Sequence, residues 1–193
     1  MKIGVDLDSV VADIMSPLIE FHNKNYKTNI KFADHTTFSI EKVWKCTEEE
    51  AIDRIIEFNN SPFMNKIKPM PGAIKGIKHL SGFHELHVIT SRSDTTEKIT
   101  DLWIKKHFPN IFKSINHTNQ SGKKENNRVK KSEVAKKLGI NLFIEDHLEY
   151  ALDCASLDIE VLLMNMPWNQ TRKLPKNITR VYSWKEIINI TSK

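Results

Sequence analysis

Apolar positions along the chain change period in a regular order. Ile3, Val5 and Leu7 alternate with Lys2, Gly4 and Asp6, which predicts a buried strand over 2–7, with Gly4 admitting a close neighbour. Val10, Val11, Ile14, Leu18 and Phe21 then recur at helical spacing. From about Asn23 to Asn60 polar residues and aromatics take over. Within that stretch Thr47-Glu48-Glu49-Glu50 is a capping box ahead of a helix whose apolar face is Ile52, Ile55 and Ile56. Pro62, Pro69, Pro71 and Gly72 punctuate the return. Beyond Gly72 the pattern predicts helices over 74–80, 95–107, 132–138 and 147–155, interleaved with strands over 86–90, 114–117, 142–144 and 159–164. Ser93 and Asp94 are available to cap the second of these helices, and Gly139 stops the third. Ser183-Trp184-Lys185-Glu186 is a second capping box, opening a last helix through Ile190.

Short apolar strands that alternate with helices belong to a parallel sheet covered on both faces, so the fold class is α/β. Ligands of such sheets bind beyond the carboxyl ends of the strands. That rule selects Asp6 and Asp8 after the first strand, Thr90 and Ser91 after the second, and Glu145 and Asp146 after the strand over 142–144. Lys131, at a helix start, is a further candidate, with Lys130 as its immediate rival. Two or three carboxylates suit a hard cation, and Mg²⁺ usually takes one or two of them together with phosphate and water. On one strand end, one aspartate can attack phosphorus while the other handles protons. Thr90 and neighbouring amides can bind phosphoryl oxygens, and Lys131 can offset charge gathered in the transition state. Each piece alone has a plain alternative: Asp-x-Asp as a surface turn, Thr90-Ser91 as a cap, Glu145-Asp146 as a helix start, Lys131 as a solvated charge. Their ordered combination is far more specific.

The 193 residues carry 29 Lys+Arg against 24 Asp+Glu, a formal charge of +5. This mild excess suits anionic partners, small phosphates as well as nucleic acid, or simple solubility. An acidic residue at position 6 stands where a signal peptide would be apolar, and no run is long enough to cross a bilayer. The expectation is a soluble, cytoplasmic protein with no membrane partner. Cys46 and Cys154 are far apart, and no His-x-x-x-His lies on a predicted helix, so neither a redox pair nor a zinc site is expected. The segment from Lys123 to Lys131 is basic but has no interleaved aromatics, which leaves a non-catalytic nucleic-acid-binding protein as the distant alternative.

Asp6-Leu7-Asp8-Ser9-Val10, Val88-Ile89-Thr90-Ser91, Lys131 and Phe143-Ile144-Glu145-Asp146 resemble the four ordered motifs of the haloacid dehalogenase-like phosphatases. Within them, Asp6 to Asp13, Glu145-Asp146-His147 and Asn165-Met166-Pro167-Trp168-Asn169 are most similar to the 5′(3′)-deoxyribonucleotidases. The resemblance implies a Rossmann-like three-layer core over 1–11 and 71–193, with a small helical cap inserted over 12–70. It implies Asp6 as the nucleophile that forms an aspartyl-phosphate and Asp8 as the acid and then the base. Mg²⁺ would be held by Asp6, the Asp8 main-chain carbonyl and Asp146, with Glu145 in the outer shell. Thr90 and Ser91 would contact phosphate, and Lys131 would bridge phosphate and Asp6. Ser9 departs from the family's usual Gly and Arg92 from a frequent Pro; Arg92 is therefore either a substrate residue or a partner of Asp94. Phe21, Phe32, Phe38 and Trp44 stack on a base or sugar, or form the cap's own core, the commoner arrangement. The expected activity is a Mg²⁺-dependent phosphomonoesterase acting on nucleoside monophosphates, with a sugar phosphate as the nearer alternative. No protein partner is evident, and a homodimer is left open.

Overall fold

The structure, a computed structural model, describes residues 1–119, 128–171 and 173–192. Six parallel strands form one sheet: β1 (Lys2–Val5), β4 (Glu85–Thr90), β5 (Ser114–His117), β6 (Leu142–Glu145), β7 (Glu160–Met164) and β8 (Ile178–Val181). Two short strands, β2 (Ala12–Asp13) and β3 (Lys68–Pro69), pair antiparallel outside it. The sheet order β5-β4-β1-β6-β7-β8 puts β1 at the point where the chain reverses its direction of growth.

Period two along each strand creates the layers. Leu86 and Val88 of β4, Leu142 and Ile144 of β6, and Leu162 and Met164 of β7 join one buried cluster. That cluster includes Ala73, Ile77 and Leu80 of α4 (Ala73–Ser81), Ile104 of α5 (Glu97–His107) and Trp184 and Ile187 of α8 (Trp184–Thr191). The alternate residues Ile89, Phe143, Val161 and Leu163 join the other cluster, with Ala135 of α6 (Lys131–Leu138) and Ala151, Cys154 and Ala155 of α7 (Leu148–Ala155). Gly4 faces this second layer, where a Cβ would collide with the Phe143 ring, so the close approach needs glycine.

Between β2 and β3 the chain makes a separate excursion containing α1 (Met15–Tyr26), α2 (Ile40–Trp44) and α3 (Glu48–Asn59). Thr47 caps α3 as its sequence indicates, with Glu50 bonding back to the Thr47 amide at 2.8 Å. Phe21 is buried edge-on against Phe58 and Phe63, both at 5.6 Å, and Trp44 is buried and stacks on His22 at 4.3 Å.

Two expectations need correcting. The apolar run from Val10 is not the start of a helix, because α1 begins at Met15. Leu7 to Ala12 instead forms a tight buried turn, in which the amides of Val11 and Ala12 both donate to the Leu7 carbonyl at 2.9 and 2.7 Å. Val10, Val11 and Ala12 are completely buried there, which imitates a helical face in the sequence. The second correction is β8, which the hydrophobic pattern does not predict: only its end residues Ile178 and Val181 are buried, as suits a short edge strand. Among the described residues, no helix is long and apolar enough to cross a membrane.

Candidate active site

Register brings the site together. Val5 lies beside Val88 on one side and Ile144 on the other, so one step further along, Asp6 stands beside Glu145. The Asp6 amide donates to the Ile144 carbonyl at 2.9 Å and holds that alignment past the end of β1. Residues far apart in sequence thus meet at the carboxyl edge of β1, β4 and β6, where the strand order reverses.

The turn after β1 requires an unusual backbone. Ser9 has φ +62°, in the left-handed region that favours glycine. This chain holds a serine in that conformation. Trp184 locks the turn from α8 by donating its indole N–H to the Val10 carbonyl at 2.9 Å.

Lys131 is the lysine brought to this edge. It is 2% exposed, with Nζ 2.7 Å from Asp6 Oδ1 and 2.9 Å from Glu145 Oε2. Lys130 points elsewhere: its side chain is 62% exposed and lies 3.6 Å from Asp153. The Lys131 ammonium is the charged partner of the buried Asp6 Oδ1, which shares that ammonium with Glu145.

Glu145 is fully engaged. One oxygen accepts from the amides of Asp146 and His147, both at 3.0 Å, and the other accepts from Lys131. Asp146 is oriented by residues after β7. Trp168 Nε1 donates to its Oδ2 at 2.9 Å, and Asn169 Nδ2 donates to its carbonyl at 2.6 Å. Arg180 of β8 fixes Asn169 in turn, donating to its Oδ1 at 2.6 Å.

Oxygen atoms of Asp6, Glu145 and Asp146 lie within 4.8 Å of one another. Burial, then the charge of Glu145, pushes the Asp6 carboxyl up from 3.8 to about 7, although Lys131 opposes the shift. Asp146 is also raised well above the ordinary carboxylate range, by burial and then by Glu145 and Asp6. For Lys131, burial favours the neutral amine, but Asp6 and Glu145 outweigh it and raise its pKa. Three carboxylates therefore share one ammonium. The formal surplus of two negative charges, concentrated on buried oxygens within 4.8 Å of one another, fits a divalent cation with oxygen ligands.

Asp8 stands outside this cluster. Arg92 grips it with Nε to Oδ2 at 2.9 Å and Nη2 to Oδ1 at 2.6 Å. Among the described residues the ion-pair partner of Arg92 is thus Asp8 rather than Asp94. Thr90 is buried at the end of β4, and its Oγ1 accepts the Arg92 amide at 3.2 Å. Ser91 is half-buried beside it.

The four candidate aromatics divide cleanly. Phe21 and Trp44 are core, whereas Phe32 and Phe38 are 45% and 55% exposed. Phe38 meets His147 edge-on with ring centroids 3.7 Å apart, and Phe32 meets Trp168 at 5.7 Å. Both therefore sit over residues that touch or adjoin Asp146. Sequence reasoning assigned no role to Trp168, Asn169 or Arg180, although the strand-end rule applied to β7 reaches the first two. Of the basic run, Lys123 and Lys124 lie outside the described residues.

Comparison with known proteins bears on the family and the fold. The sequence model of the family described as 5′ nucleotidase, deoxy (pyrimidine), cytosolic type C protein matches residues 1–193. The nucleotidase-named YqfW of Bacillus subtilis is 26% identical over 192 residues, covering 97% of this chain and 92% of the relative. Among solved structures, the haloacid dehalogenase-like hydrolase SP0104 of Streptococcus pneumoniae superimposes with a TM-score of 0.70 at 13% identity, covering 98% and 97% of the two chains. The HAD-hydrolase-named YfnB of Bacillus subtilis, solved bound to magnesium, gives 0.65 at 14% identity, covering 98% and 97%. Matched along all 193 residues and sharing the fold of the haloacid dehalogenase-like hydrolases, the chain belongs to the deoxy (pyrimidine), cytosolic type C 5′ nucleotidase family and is a phosphoric monoester hydrolase.

Proposed function

We propose that the protein is a Mg²⁺-dependent phosphatase of nucleoside monophosphates that works through a phosphoryl group carried on Asp6. The observation that carries this reading is the buried Asp6 Oδ1. It lies 2.7 Å from the Lys131 ammonium, which it shares with Glu145, and belongs to a buried cluster with a formal excess of two negative charges. A buried carboxylate held in place by a shared ammonium, with charge still uncompensated, is suited to attack phosphorus.

In the first step an Asp6 oxygen bonds to phosphorus, the ester P–O bond breaks, and the departing oxygen takes a proton from Asp8. In the second, water attacks the same phosphorus, gives its proton to Asp8, and the bond to Asp6 breaks. Lys131 holds Asp6 in place and balances the charge that gathers on the phosphoryl oxygens. Thr90 and Ser91, at the end of β4, serve those oxygens from the other side. Asp6, the Asp8 main-chain carbonyl and Asp146 would hold Mg²⁺, which when bound neutralises the phosphate and fixes its orientation. Glu145 stays in an outer position because both of its oxygens are already occupied.

The excursion over 12–70 acts as a cap over this site. Phe38 and Phe32 are exposed where the cap meets His147 and Trp168, which suits stacking on a base. The family description and the nucleotidase-named relative point to the same substrate class. The test is phosphate release from a panel of ribo- and deoxyribonucleoside monophosphates and sugar phosphates, with and without Mg²⁺, alongside Asp6→Asn. Mg²⁺-dependent release from a few nucleotides, lost in the variant, is expected. Release spread evenly over sugar phosphates would overturn the substrate, and full activity of Asp6→Asn would overturn the nucleophile.

A further inference from the structure

Arg92 is a buried guanidinium with no role in the reaction as described so far. Its side chain is 8% exposed, and all three of its nitrogens already donate to protein oxygens. Nε and Nη2 hold the two oxygens of Asp8, and Nη1 donates to Thr100 Oγ1 of α5 at 3.0 Å. Its main-chain N–H is held separately by Thr90 Oγ1. The guanidinium plane is therefore pinned by β4, by α5 and by the loop after β1, and the Asp8 carboxylate is pinned with it.

We propose that Arg92 is the positioning residue for Asp8, holding its carboxyl group in the plane from which, once protonated, it gives its proton to the departing oxygen. A two-pronged fork fixes direction as well as distance, which a lysine ammonium cannot do. Misplacing a reacting group by about 1 Å can cost about 100-fold in rate. Direct binding of phosphate by Arg92 is the competing role; three of its five N–H donors are already spent on Asp8 and Thr100.

The inference rests on the acid–base role proposed for Asp8, and the experiment separates the two. A p-nitrophenyl ester leaves without needing a proton, whereas the alkoxide of a nucleoside monophosphate needs one. The quantity to compare is kcat/KM, which reports only on steps up to loss of the leaving group. Arg92→Gln should lose about 100-fold on a nucleoside monophosphate and within about threefold on p-nitrophenyl phosphate. Arg92→Lys should recover part of the loss, and Asp8→Asn should reproduce the same selectivity. The double variant should be no worse than Asp8→Asn alone, because both changes remove one function.

Equal losses on both substrates in Arg92→Gln, with Asp8→Asn still selective, would overturn the positioning role and indicate phosphate binding or a structural part. No selectivity in Asp8→Asn would remove the acid role itself, and this inference with it. If Arg92→Gln does not fold, as thermal melting would reveal, Thr100→Val provides the same comparison. It removes one anchor of the guanidinium but keeps the ion pair, so a smaller loss confined to the nucleotide is expected; equal losses would again overturn the proposal.

Discussion

Removing or adding Mg²⁺ should change stability in a pH-dependent way, and the size follows from the buried carboxylates. The Asp6 carboxyl sits at about 7 instead of 3.8, so between those values the folded protein keeps a proton that the unfolded chain has lost. Without metal, stability should therefore fall as pH rises from about 4 to 7, by up to roughly 4 kcal/mol from this group. Asp146 shifts in the same direction and adds to the fall. A cation bound by these oxygens replaces the proton, so from Asp6 alone its apparent Kd rises by a factor of 1 + 10^(pKa − pH), about 30-fold between pH 8 and pH 5.5. With Mg²⁺ at about 100 times the Kd measured at pH 8, binding stabilises by about 2.7 kcal/mol at that pH and by roughly 0.9 kcal/mol at pH 5.5. For a chain of this size that corresponds to melting shifts of about 5–11 °C and about 2–4 °C. Thermal melts at both pH values, with NaCl matched in ionic strength as the control, decide the matter. Equal Mg²⁺ shifts at pH 5.5 and pH 8 would refute the reasoning, and so would the same shift in Asp6→Asn.

Three further substitutions separate site from scaffold. Lys131→Met leaves three buried carboxylates without their ammonium and should cost about 3–5 kcal/mol in urea unfolding at pH 8, whereas Lys130→Met should change stability by about 0.5 kcal/mol or less. Phe21→Ala should cost about 3–5 kcal/mol as a core deletion; Phe38→Ala should melt close to the parent protein but raise KM for nucleotides and not for p-nitrophenyl phosphate. Gly76→Ala should cost at least about 1–3 kcal/mol, because its Cβ would overlap the Trp184 ring that anchors the turn over 7–12; an unchanged melting temperature would show that Trp184 can move aside.

How much of this can be read from the sequence depends on whether a local rule governs the residue. Asp6, Asp8, Thr90, Glu145 and Asp146 are legible because strand ends are marked by where apolar alternation stops, and parallel register aligns those ends. The turn over 7–12 is not legible as a turn, since complete burial of Val10, Val11 and Ala12 produces the same pattern as a helix face. β8 escapes because an edge strand buries only Ile178 and Val181. The division of Phe21 and Trp44 from Phe32 and Phe38 is tertiary: composition is alike, and only packing decides which ring is left exposed. The choice between Lys130 and Lys131 is likewise made by one helix start, which turns Lys131 inward and leaves Lys130 in solvent.

The pairing of charges also explains why two aspartates from one strand end are suited to different work. Asp8 has its own cation: a bidentate guanidinium neutralises it, orients it and leaves it a quarter exposed toward the site. Asp6 has half of one, since Lys131 is shared with Glu145, and burial raises its cost of ionisation. A carboxylate in the first setting is a group to be aimed, as proton transfer demands. One in the second carries uncompensated charge, which a metal ion and an incoming phosphorus atom can both relieve. The proposed division between acid–base and nucleophile thus follows from which cation each aspartate can reach. Arg92 sets that division as much as Lys131 does, because a free Asp8 would add a fourth carboxylate to a cluster already short of positive charge.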